Sequence, residues 1–112
     1  MTYSGAVSTS TAWHREADAD LATIGAYITE HDGRARAAMV TERIQKTMRS
    51  LASMPGMGRR WSYLNRDSRL FPVPPWVTVY IPLPEGNGIE VVRVIHGRRD
   101  LPAIFGRSKK KR

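Results

Sequence analysis

The chain has 112 residues, 41% hydrophobic and 25% charged, with no cysteine and a net charge of +8. That length fits a single hydrophobic core, the missing cysteines exclude a disulfide scaffold, and no stretch approaches the roughly 20 consecutive apolar residues of a membrane span. The positive surface favours nucleic acid, a nucleoprotein machine or an acidic protein as partner, and the N-terminal MTYSGAVSTSTAW, without a basic start or an apolar stretch of signal-peptide length, adds the expectation of a cytoplasmic protein with no membrane attachment.

In chain order, residues 1–8 read as a disordered start, 9–105 as one domain and 106–112, GRSKKKR, as a basic flexible tail. A short strand ending near Trp13 comes first. Ala17, Leu21, Ile24 and Ile28 then fall on one face of a helix, with Tyr27 beside them and Glu16, Asp18 and Asp20 in its early turns, where acids suit the helix dipole. His31-Asp32-Gly33 ends that helix. A second helix from Arg34 carries Ala37, Val40, Ile44, Met48 and Leu51 on one face, so the two form an antiparallel hairpin until MPGMGRR breaks the pattern. Strands follow at Ser68 to Val73, Trp76 to Ile81 and Ile89 to Ile95, the last two paired antiparallel through Gly86-Asn87-Gly88. Pro72, Pro74 and Pro75 remove backbone donors, so the first of these strands leaves the sheet early or lies at its edge. The expected fold class is α+β, an N-terminal strand and a helical hairpin packed on a small antiparallel β-sheet.

Several chemistries lack their residues. The three histidines, His14, His31 and His96, are scattered over different elements with no cysteine nearby, so no metal site is expected, and nothing in the chain calls for a cofactor. There is no phosphate-cradling glycine loop between a strand and a helix, no nucleophile elbow, and no helix-turn-helix, zinc-finger or RNP signature.

One stretch remains, VVRVIHGRRDLPAIF, an apolar strand that runs into a basic cluster. Ala17, Asp20-Leu21, Ile24 and Tyr27-Ile28, then Leu51, Pro55 and Gly58-Arg59, then Arg69 to Val73, Tyr80 and finally Val92 to Asp100 closely resemble the ParE-like toxins of the RelE/ParE superfamily, over about Ser10 to Phe105. The resemblance implies the toxin component of a type II toxin-antitoxin system and one of two activities. ParE-like members inhibit DNA gyrase by binding it and are not regarded as enzymes. RelE-like and YoeB-like members cut messenger RNA on the ribosome. Both kinds are neutralised by a cognate antitoxin, expected to be acidic, whose complex with the toxin commonly meets operator DNA through the antitoxin.

RNA cleavage needs a base for the 2′-hydroxyl, an acid for the leaving oxygen and cations around the phosphorane. In that alternative Arg69, Arg93, His96 and Arg98 are the catalytic candidates. Where the RelE pattern places a tyrosine this chain has Phe105, whose ring transfers no proton, and where the YoeB pattern has tyrosine after the histidine it has Gly97. The leading expectation is therefore a gyrase-binding toxin that is not an enzyme, with Arg59, Arg60, Trp61, His96, Arg98, Arg99 and Phe105 as candidate contacts for target or antitoxin.

Structural readings stand beside these. Arg93 alternates with Val92 and Val94 and reads as crossing to a first-helix acid such as Asp20. Asp100 before Leu101-Pro102 reads as an N-cap, and His96 as a hydrogen-bonded strand end. Phe105 and Ile104 read as covering the sheet or forming an exposed apolar contact. Trp76 reads as packing against the hairpin, whereas Trp61 sits in the polar RRWSYLNRD.

Overall fold

A computed structural model describes residues 10–99 of the protein. The readings of residues 1–8, of Asp100, Ile104 and Phe105, and of the basic tail lie outside the described residues. The chain runs through β1 (Ser10–Trp13), α1 (Arg15–Asp32), α2 (Arg34–Ser53), a 3₁₀ turn at Pro55–Met57, β2 (Arg59–Arg60), β3 (Arg69–Val73), β4 (Trp76–Pro82), a second 3₁₀ turn at Pro84–Gly86, and β5 (Gly88–His96). Neither helix is long and apolar enough to cross a membrane.

The α+β architecture expected from periodicity is the one observed, two helices beside a five-stranded sheet ordered β1-β5-β4-β3-β2. The sheet is mixed rather than wholly antiparallel, because β1 pairs parallel to β5 from Ser10 opposite Gly88 to Trp13 opposite Val91. A parallel pair requires a long crossover, and everything from α1 to β4 forms it. Gly88, at φ +118°, sits where β1 touches β5, and a Cβ there would come within 2.6 Å of the Ser10 nitrogen.

Helix α1 starts on His14, whose Nδ1 accepts the Glu16 N–H at 3.1 Å. Its buried residues, Ala17, Leu21, Ile24 and Ile28, meet Ala37, Ile44, Met48, Leu51 and Ala52 of α2 and Tyr80, Ile89, Val91 and Val94 of the sheet in one core. Trp13, Val40, Phe71 and Trp76 pack against its rim, half-buried. The hairpin's helical spacing is thus matched by the sheet face that covers it.

Strand β3 stays paired with β4 through Val73, and β2 covers only its Arg69 and Leu70, so Pro72 lies where β3 has a free edge, as a residue without an N–H requires. On β5, Tyr80 pairs with Val91 and Val79 with Arg93, which makes Val92 a one-residue bulge. The bulge resets the alternation, so Val91 and Val94 both face the helices while the adjacent Val92 is also buried.

The Met54 to Gly58 break is held from the sheet side. The Tyr80 hydroxyl accepts the Gly58 N–H at 2.8 Å and donates to Pro55 O at 2.7 Å, while Arg69 donates to Gly58 O at 2.6 Å and Gly56 O at 3.2 Å. A Cβ at Gly58 would run into the Tyr80 hydroxyl and lie 2.7 Å from Leu70 O, so this position admits no side chain. Burial pushes the Tyr80 phenol above its ordinary 10.0, against the smaller lowering influences of the Gly58 hydrogen bond and the Arg69 charge.

Tyr80→Phe leaves the Gly58 amide buried without its acceptor and should cost about 1–3 kcal/mol in urea denaturation, with Gly58→Ala costing more. Above pH 10 the unfolded chain releases the Tyr80 proton before the folded one does, so the folded state binds more protons there and stability falls as pH rises. The contribution is whole below that pH. Denaturation between pH 8 and pH 11 should show a loss that Tyr80→Phe makes smaller, and ultraviolet titration should find one tyrosine ionising late.

Candidate interaction site

The site is built on the last half of β5, where β1 no longer covers the sheet edge. The edge bonds of β1 end when the His14 N–H reaches Val91 O at 2.8 Å, and the chain then turns into α1. The next outward amide, that of Val94, is taken by a side chain: Asp20 Oδ2 accepts it at 2.8 Å. The same carboxylate accepts Arg93 Nε at 2.8 Å and, through Oδ1, Arg93 Nη2 at 3.0 Å. This forked pair is 23% exposed on the arginine and 16% on the aspartate, sheltered enough for the charge-assisted bonds to matter. It raises the Arg93 pKa above its usual value, chiefly through the Asp20 hydrogen bond, with burial opposing and the charges of Asp20 and Glu16 assisting.

Beyond the clamp, β5 ends at His96 and a tight turn follows. Gly97 donates its N–H to Pro75 O at 2.8 Å and Arg99 to His96 O at 3.0 Å, while the Arg98 N–H points at His96 Nδ1 at 3.1 Å. An Nδ1 that accepts leaves the proton of the neutral ring on Nε2. The ring also stands edge-on to Trp76, centroids 5.3 Å apart at 82°. The Trp76 indole N–H is buried and has no acceptor. The turn is thereby tied to the β3–β4 connection, and Arg98 and Arg99 stand exposed upon it.

The remaining sequence candidates divide cleanly. Arg69 is used by the carbonyls of the Met54 to Gly58 break and Arg93 by Asp20. Among the described residues the side chains of Arg59, Arg60, Arg98 and Arg99 meet no acceptor. Arg59 and Gly97 line one cleft of about 470 Å³ floored by Leu70, Pro72 and Val77, so the structure joins β2 to the turn after β5. Trp61, half-buried, has its ring 5.2 Å from that of Tyr63, and its backbone N–H and C=O are both bonded to Ser68. Phe105 lies outside the described residues. Sequence reading missed the groove on the helix side of the turn, lined by Thr23, Tyr27, Pro75 and Trp76 with His96; the only signal for it was Tyr27 lying beside the apolar stripe. No group of three or more His, Cys, Asp or Glu among the described residues is placed to hold a metal ion.

Chemically, this is a surface of uncommitted cations on a rigid frame. The imidazole nitrogen that could take a proton already accepts a hydrogen bond from the Arg98 backbone N–H, and of the strand arginines Arg93 is neutralised by Asp20 and Arg69 is bonded to backbone carbonyls. Asp20→Ala should destabilise the fold by about 2 kcal/mol, since it strands Arg93 and frees the Val94 amide. Native-state hydrogen exchange should show Val94 losing protection well before Val91, and an Asp20→Ala/Arg93→Ala cycle should give a coupling of about 1 kcal/mol or more.

The model for the ParE toxin of the type II toxin-antitoxin system parDE matches residues 12–101. A solved structure described as the chromosomal ParDE toxin-antitoxin system from P. aeruginosa superimposes with a TM-score of 0.65 at 22% identity, covering 79% of this chain and 95% of that one, a likeness of fold. No curated protein sequence matches. The family match takes in the end of β1, both helices and strands β2 to β5, including the clamp and the basic turn, and on that ground the chain belongs to the ParE toxin family of type II toxin-antitoxin systems.

Proposed function

We propose that this toxin acts by binding and inhibiting DNA gyrase rather than by catalysis, and that a cognate acidic antitoxin neutralises it. The observation that carries the reading is how the polar groups are allotted. Three of the four groups a nuclease would need, Arg69, Arg93 and the His96 Nδ1 lone pair, are engaged by the chain's own atoms, and among the described residues the carboxylate that shares a recess with His96, that of Asp20, has both oxygens bonded. General acid–base cleavage needs at least one group free to accept a proton and one free to donate. What is left uncommitted, Arg98 and Arg99 on the turn and Arg59 and Arg60 on β2, suits recognition of an acidic surface. The sequence supports the same reading at Phe105, which offers no hydroxyl. An antitoxin with an acidic segment fits the net charge of +8, and gyrase and antitoxin would both be met in the cytoplasm. DNA would be reached only indirectly, through the antitoxin of the complex.

The test is supercoiling of relaxed plasmid by purified gyrase with and without the protein, followed by SDS to trap cleaved DNA. Inhibition or trapped linear plasmid is expected, and Arg98→Ala/Arg99→Ala should raise the inhibitory concentration about tenfold or more while circular dichroism stays native. An Asn substitution at His96, which keeps a hydrogen-bond acceptor for Arg98, should inhibit nearly as well as the parent. Undisturbed supercoiling at excess folded protein would defeat the proposal and turn attention to messenger cleavage on the ribosome.

A further inference from the structure

The face of the molecule between α1 and the β3–β4 turn holds two adjoining recesses of opposite character. One, about 400 Å³, is almost wholly apolar and is walled by Ile24, Tyr27, Pro75 and Trp76. The other, about 160 Å³, is polar and contains Arg93, His96 and Arg99 with Asp20 beneath them. They share Thr23, Ile24, Trp76 and His96, so a molecule lying across the Trp76–His96 pair would touch both. We propose that this double recess is a binding site for a small planar aromatic monocarboxylate, a ligand class separate from any protein target or antitoxin.

Each part of that ligand answers to a group present. The flat walls supplied by Tyr27, Pro75 and Trp76 favour a planar ring, and an apolar recess of a few hundred Å³ with a few polar groups at one end is the usual form of a small-molecule site. The anion is specified by donors: His96 Nε2 carries the ring proton because Nδ1 accepts from Arg98, Thr23 offers a hydroxyl, and the Arg99 guanidinium has no acceptor among the described residues. The single charge follows from neutralisation. Asp20 and Arg93 cancel one another through their forked pair, which leaves Arg99 as the one uncompensated cation lining the polar recess among the described residues. A dianionic phosphate would meet the Asp20 carboxylate with one cation too few, whereas a carboxylate matches Arg99 with a bidentate geometry. Occupancy would also cover His96 and Arg99, so a bound acid would mask part of the basic turn.

The probe is indole-3-acetate, with uncharged indole-3-acetamide as its near isostere, titrated into the ¹⁵N-labelled protein. The Trp76 indole N–H, identified by its disappearance in Trp76→Phe, and the amides of Gly97 and Arg99 should shift together, with a Kd on the order of 1 mM or tighter. The amide should bind about tenfold more weakly, and Arg99→Gln, a change at an exposed position that leaves the rest of the spectrum in place, should bring the acid down to the level of the amide. Equal affinity for acid and amide, indifference to Arg99→Gln, or no shift at either group up to the solubility of the probe would each overturn the proposal. These readouts use neither gyrase nor an antitoxin, so their outcome is separate from that of the supercoiling test.

Discussion

Everything distinctive about this face of the protein depends on one carboxylate. Strand β5 is longer than the β1 strand that pairs with it, and an uncovered sheet edge exposes amides that compete for water or for another chain. Asp20 closes that edge from within, standing in for the next residue of a neighbouring strand at Val94 and binding Arg93 in the same act. Because Asp20 is on the second turn of α1, the bond fixes the helix against the sheet at the level where the core residues Ala17, Leu21 and Ile24 must meet Val91 and Val94. A helix that slid by one turn would lose both the clamp and the packing.

The clamp also sorts the arginines. A guanidinium that is forked to a carboxylate carries no net attraction for an outside anion, and one bonded to two carbonyls has donors already engaged. Arg93 and Arg69 are in these two conditions, so their charge belongs to the scaffold. Arg98 and Arg99 lie two and three residues past the end of β5, on a turn whose amides are bonded to His96 and whose first residue is bonded to Pro75. Their positions are set without their side chains being used. That separation of roles is what a recognition surface requires, since pre-placed but unbonded charges lose the least on meeting a partner.

The helices were legible from apolar spacing alone, and so was the pairing of β4 with β5, because both rest on local periodicity and a turn. The Arg93–Asp20 pair was legible by type: an arginine alternating with valines in a strand has to find an acid, and the early turns of the first helix offer three, Glu16, Asp18 and Asp20. Which of them it takes is not local information, and Asp20 could equally be read as an acid favouring the helix dipole. The parallel partnership of β1 was hidden for the same reason, since nothing in Ser10 to Trp13 names a strand some eighty residues away. The Val92 bulge and the two-residue β2 were hidden differently, the first because VVRVI alternates equally well in either register and the second because Arg59-Arg60 has no apolar residue to betray a strand. In the site, charge identified the arginines but not their state. Only distances separate Arg69 from Arg98.

The two activities that the sequence resemblance left as alternatives, cleavage and binding, would differ on this scaffold in very few atoms. The scaffold needs the Asp20 clamp, the Tyr80 and Arg69 bracket on the Met54 to Gly58 break, and the core between them, and none of these requires a free proton acceptor. Cleavage chemistry adds the demand that one lone pair stay open near the phosphate. Here the hydrogen bond from Arg98 to His96 Nδ1 both orders the turn and occupies that lone pair. On the binding reading proposed above, the same bond that presents the two arginines would work against a catalytic histidine. On that reading, presentation of the cations and loss of a proton acceptor would be two consequences of one contact.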